Sequence, residues 1–164
     1  IVGTGAGIYI KEKDWKLIPG TEKFTVKYIT VDTNGTIWAV GPRGIITVED
    51  NKVNKTYNES TGLLNEFIYG VLFDDHGNAW YSSNRGIGCI FKNGSIRFFT
   101  EADGLQGDEF DTQSFWKGTD GKLYFGGIQG ITAFYPEEVL QSAPSGQLQI
   151  SGIQVNEENY PISG

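Results

Sequence analysis

Methionine is absent from these 164 residues, and cysteine and histidine occur once each, as Cys89 and His76. A lone cysteine excludes a disulfide framework and a thiolate metal site. One cysteine with one histidine also leaves too few groups for zinc hydrolysis or Cys-His catalysis. Cys89 lies in the apolar run 87–91, where a buried structural thiol is expected, and His76 stands in a His-Gly turn, where a solvated side chain is expected. Neither a metal nor a cofactor is called for. Basic charge is short as well: 13 Lys and Arg face 20 Asp and Glu, a formal net charge of −7. That balance argues against nucleic acid or an anionic membrane as partner, since both need basic patches. No apolar run approaches the roughly 18 residues of a membrane-spanning helix. The missing methionine, and an opening inside a repeat, lead to the expectation that the chain is cut from a longer protein.

Glycine and aromatic residues are abundant instead, with 23 Gly and 13% Phe, Trp and Tyr, which describes an ordered, turn-rich chain. They are organised around GNAWYSSNRGI (77–87). The pattern occurs upstream as GTIWAVGPRGI (35–45) and downstream as GKLYFGGIQGI (121–131), offsets of 42 and 44 residues. Each copy has a turn glycine, an aromatic three residues on (Trp38, Trp80, Tyr124) and then a Gly-Ile pair. A headless copy opens the chain, with Gly7-Ile8 on the Gly-Ile position and Ile1 on the aromatic one. Such a period is the mark of a repeat architecture.

Strands are predicted over 7–13, 15–18, 27–33, 36–40, 45–49, 52–57, 70–74, 78–82, 87–91, 95–100, 112–117, 122–125 and 131–135. The turns Asn34-Gly35, His76-Gly77, Asn93-Gly94 and Asp120-Gly121 punctuate them, and Pro136 ends the last. Four short strands per repeat without helices predict an all-β chain, a β-propeller of four-stranded antiparallel blades. About three and a half blades are present, at about 1–20, 27–58, 68–100 and 112–135. The strand before each turn should be innermost, with Ile29, Val71, Phe115, Val31 and Phe73 facing a neighbouring blade. Trp38, Trp80 and Tyr124 should fill the gaps between blades, each contributing roughly 2–3 kcal/mol. Gly44, Gly86 and Gly130 should supply positive φ or close backbone approach.

The order "strand, Asp or Asn, Gly, x, x, Trp, Gly-Ile" resembles the two-component-regulator propeller repeat. EADGLQGDEFDTQSFWKGTDGKLYFGGIQGITAFYPEEV (101–139) is similar to the closing blade of that family, and the lead-in recurs as TGLLNEF (61–67). Lys117 in place of an apolar residue and Tyr124 in place of Trp are departures in the last copy. The tail 147–164 resembles the first strand of the β-sandwich that follows such propellers, with 141–146 as linker. The resemblance implies the periplasmic sensor region of a hybrid histidine kinase. Its implied ligand is a polysaccharide-derived oligosaccharide, and its implied working form a homodimer. The half ring would be completed by absent sequence or by a second copy.

In a propeller, loops entering the inner strand and loops joining strands two and three share one face. Here they carry Arg43, Asn84, Arg85, Gln129, Glu66, Glu109 and Tyr69, donors and acceptors with an aromatic platform that suit a sugar. Solvated loop residues are the plain alternative. Glu66 and Glu109, repeated in Asn-Glu-Phe and Asp-Glu-Phe, lean towards capping loop amides, and Arg85 is the foremost candidate for ligand contact. A non-catalytic protein-interaction propeller is the second reading. An enzyme, hydrolase or lyase, is the third and is not expected. Adjacent carboxylates on a strand point to opposite faces and cannot flank one bond. The partial Asp-box Asp75-x-Gly77-x-x-Trp80 lacks its leading Ser and any Arg triad.

Overall fold

The computed structural model describes residues 1–141, together with the backbone of two short strands at 153–155 and 158–160. The first sheet has three strands, β1 (Val2–Thr4), β2 (Gly7–Lys11) and β3 (Trp15–Leu17). The second has β4 (Tyr28–Val31), β5 (Ile37–Gly41), β6 (Gly44–Glu49) and β7 (Lys52–Tyr57) in sequential order. The third repeats it with β8 (Ile68–Phe73), β9 (Ala79–Ser83), β10 (Gly86–Ile90) and β11 (Ile96–Phe99). The fourth keeps only β12 (Phe110–Lys117), β13 (Leu123–Gly127) and β14 (Gly130–Phe134). Every pairing is antiparallel between chain neighbours, and these are the blades of a partial propeller. A single helical turn and a half, α1 (Pro136–Gln141), follows the last blade, so Pro136 starts a helix where its missing N–H costs nothing. Beyond it β15 (Ile153–Val155) and β16 (Glu158–Tyr160) pair as a hairpin, whereas a single strand was expected there. Of the expected linker 141–146, Gln141 ends α1, and the remainder, like the segment through Leu148 and Ile150, lies outside the described residues.

Three apolar clusters lie between consecutive blades. Ile8 and Ile18 pack with Ala39, Ile46 and Val48. Val40, Ile45 and Tyr57 pack with Ile68, Val71, Ala79 and Tyr81. Trp80, Ile87, Cys89 and Phe99 pack with Phe110, Leu123 and Phe125. The strand alternation sends one side chain forward and the next back, so each sheet is apolar on both faces. Trp80 is fully buried, stacked on Phe99 at 5.6 Å and touching Phe134 at 4.9 Å. Trp38 is half-buried, stacked on Tyr57 at 6.0 Å. Val31 does not follow the expectation for inner-strand residues, for it is 49% exposed at the strand's lower end. Burial pushes the Cys89 thiol up to about 12, so it is inert at neutral pH.

The turn between the first two strands of the second, third and fourth blades is held by an aspartate that the glycine spacing alone does not reveal. Asp74 accepts from the His76 and Asn78 amides at 2.9 and 2.8 Å through Oδ1. Its Oδ2 accepts from Asn78 Nδ2 at 2.8 Å and Trp80 Nε1 at 3.0 Å. Asp32 does the same for Asn34, Thr36 and Trp38 Nε1. The residue that matters is therefore Asp74, one before the Asp75 of the partial Asp-box. In the fourth blade both partners change together: Gly118 stands in the Asp position and Tyr124, which has no indole N–H, in the Trp position. Asp120 then holds the turn through the Lys122 amide at 3.2 Å and the Tyr135 hydroxyl at 3.0 Å. Lys117 finds its purpose in a 2.6 Å ion pair with Asp75 that clasps the third blade to the fourth.

Candidate functional site

The face of interest is assembled by main-chain bonds between neighbouring blades. Gly44 N donates to Glu66 O, and Gly86 N to Asp108 O, both at 2.7 Å. Each strand-two-to-three turn is thus fastened to the entry loop of the next blade. Those entry loops are one-turn 3-10 helices, Glu59–Thr61 and Glu101–Asp103, begun by Asn58 and Thr100 and closed by left-handed Gly62 and Gly104. Gly44 and Gly86 have φ of 96° and 93°, and a Cβ there would sit 2.0 and 2.1 Å from the carbonyls of Tyr57 and Phe99. Only glycine fits on both counts.

This bonding corrects one expectation. The counterpart of Glu66 is Asp108, not Glu109, and Ile68 matches Phe110, since both are buried at the start of an inner strand. The repeated Glu-Phe pair is one residue out of register, and Phe67 is accordingly exposed. Glu66 and Glu109 contribute carbonyls to the loops, Glu109 O accepting from Ile128 N at 3.4 Å. The side chain that caps a loop amide is that of Asp108, accepting from Glu101 N at 2.7 Å. The two extra residues in the last repeat fall inside β12, whose register slips between Phe110 and Phe115. Gln113 lies in this bulge at φ 59°, a left-handed backbone for a residue with a side chain.

The candidate side chains form two groups, with Arg85 apart from both. Tyr69 donates its hydroxyl to Asn84 Oδ1, with Phe67 edge-on to its ring at 5.3 Å. Burial, and then the charges of Glu109 and Asp111, raise the phenol above its ordinary value, so it stays a neutral donor. That donation fixes the Asn84 amide with its N–H groups turned away from the ring. Gln129 joins by its main chain, its amide donating to Gln106 Oε1 at 2.8 Å while Gln106 Nε2 reaches Glu109 O at 3.3 Å. Arg43 and Glu66 line a separate cleft of about 560 Å³ with Gly20, Lys23, Phe24 and Asn58. Arg85 belongs to neither group; its amide is held by Ser83 Oγ at 3.0 Å and its side chain is exposed. Lys23, Gln106, Asp111 and Gln113 were not singled out in the sequence, because loop residues outside the repeated motif carry no periodic signal. Towards the ring centre the site has a floor: Gly70 lacks a side chain, and the Phe115 ring crosses there to meet Tyr28 edge-on at 4.8 Å.

No family model matches the sequence. A histidine kinase, P4, of Formosa agariphila is 28% identical over 122 residues, 74% of this chain and 9% of the kinase. The extracellular domain of a one-component system from B. thetaiotaomicron is 25% identical, with a TM-score of 0.60 over 71% of this chain and 17% of that one. The chain is thus similar to extracellular sensor-region domains and to a histidine kinase. The extracellular domain of a hybrid two-component system from B. thetaiotaomicron aligns with a TM-score of 0.75 at 23% identity, over 98% of this chain and 24% of that domain, a likeness of fold. The present chain therefore spans a quarter or less of each of these relatives. A streptogramin B lyase aligns with a TM-score of 0.55 at 20% identity over 76% of this chain and 41% of the lyase, a likeness of fold alone.

Proposed function

We propose that the chain is part of the extracytoplasmic, periplasmic sensor region of a hybrid two-component regulator. It detects a polysaccharide-derived oligosaccharide and passes the signal to a histidine kinase elsewhere in the parent. The relatives named above support the sensor class, being the extracellular domains of a hybrid two-component and of a one-component system, and a histidine kinase. The observation that carries the ligand class is the Tyr69–Asn84 pair beside Glu109 and Asp111. Hydroxyl-rich ligands need such a mixture of neutral donors and carboxylate acceptors around an aromatic ring. Catalysis is disfavoured by the same inventory: the single histidine, 65% exposed, sits on a turn with Glu137 at 3.5 Å and its amide bonded to Asp74. Calorimetric titration against a panel of oligosaccharides, with product analysis of the same samples, tests the reading. Binding without turnover is expected, and Tyr69→Phe should weaken it several-fold. Cleaved product would move the assignment to an enzyme.

A further inference from the structure

The cleft lined by Arg43 differs in charge from the rest of the chain. Two cations, Lys23 and Arg43, open on it in a protein of net charge −7. Neither makes a salt bridge or a side-chain hydrogen bond among the described residues, and both are exposed. Glu66 lines the same cleft without closing an ion pair with either, and the Glu22 carboxylate next to Lys23 is held mainly by main-chain amides, with Lys23 only the last of its influences. The floor is apolar and rigid: Phe24 and Ile46 are buried, and the Gly44 amide bonded to Glu66 O fixes the two rims against each other. Asn58 and Thr56 add neutral polar groups. The cleft is complete within the first three blades, so its lining does not depend on any uncovered face. Its volume of about 560 Å³ is that of a small-ligand site.

We infer that this cleft binds an anionic group of the ligand, a carboxylate or sulfate on a saccharide, held between Arg43 and Lys23. The inference rests on the oligosaccharide reading and narrows it. Arg43 supplies a planar fork that matches two oxygens of such a group, and Lys23 a point charge. Glu109 and Asp111 stand beside Tyr69 and are not among the residues that line this cleft.

The test is calorimetric titration of the chain with tetragalacturonate and with its uncharged methyl ester. A sulfated galactan tetrasaccharide and its desulfated form make a second pair and distinguish carboxylate from sulfate. One charged probe should bind at least about ten-fold tighter than its neutral partner, the advantage shrinking as salt rises. Arg43→Gln and Lys23→Gln, which should leave the melting temperature unchanged, should each erase most of that advantage, and Arg43→Lys should restore part of it. Neutral probes binding as well as charged ones would overturn the inference and leave the oligosaccharide reading standing. Failure of every probe to bind would overturn both.

Discussion

At the residue scale, the Asp-to-indole bond is the most consequential unit. Asp74 is 5% exposed and Trp80 is fully buried, so removing the carboxylate strands two amides and an indole N–H away from water. Asp74→Ala should cost about 3 kcal/mol, and Trp80→Ala about 3–5 kcal/mol through the cavity it leaves. In the double variant Asp74→Ala with Trp80→Phe, the loss should fall short of the sum by about 1 kcal/mol, since the indole donor is gone. Urea melts of the four proteins check this; strict additivity would mean that the bond is incidental. The paired change to Gly118 and Tyr124 in the last blade is the natural counterpart of that cycle. Acid sensitivity also belongs to single residues. Lys117 holds the Asp75 carboxyl below its ordinary value of 3.8, and the Lys122 amide followed by the Tyr135 hydroxyl does the same for Asp120. Depressed carboxylate values stabilise the fold above 3.8 and lose that contribution as pH falls through the lowered values. Lys117→Ala should flatten the Asp75 part of this acid limb, read from melting temperature between pH 5 and 2, roughly the range over which such a carboxylate titrates. An unchanged acid limb would show that the Asp75–Lys117 pair is fully screened.

At the scale of elements, the repeat was legible because it is made of turns and alternation. The outer strand at 52–57 was placed to the residue, and most other strands within two residues of their ends. What the sequence did not disclose has a physical reason in each case. Asp32 and Asp74 act through side-chain bonds six residues long, which no hydrophobic period reports. Glu66 and Glu109 share a letter pair in the sequence, but equivalence is set by the carbonyl that Gly44 and Gly86 bond, which belongs to Glu66 and Asp108. The clustering of Tyr69 with Asn84, and of Arg43 with Lys23, depends on how loops of different blades meet, which sequence distance does not encode. The bulge in β12 was visible only as the offset of 44 rather than 42 residues. Since Gln113 holds a left-handed backbone there, Gln113→Gly should stabilise the chain by about 0.5–1 kcal/mol and Gln113→Val should destabilise it by a similar amount. A thermal melt that ranks the two variants the other way would place the strain elsewhere.

At the scale of the whole molecule, the chain is an arc with uncovered faces at both ends. Trp116 and Ile131 are each 70% exposed, and with half-buried Tyr124 they stand where Leu72, Ile87 and Trp80 stand in the third blade. Those three are covered by the fourth blade; their counterparts face solvent. Gly130 repeats the positive φ of Gly44 and Gly86, at 135°, yet no atom lies within 4 Å of its missing Cβ. The carbonyls that crowd the other two end β7 and β11, and among the described residues the fourth blade shows no such outer strand. At the opposite end Ile1, Val2 and Trp15 are exposed beside a blade that lacks its inner strand. We propose that this apolar face and the strand edge beside it are covered by further blades or by a second copy. Light scattering on the purified chain tests this most directly. The account predicts a mass of at least two chains of 18.1 kDa, with Trp116→Asp shifting the population towards smaller species. A stable monomer with a single cooperative melt, unmoved by Trp116→Asp, would contradict it.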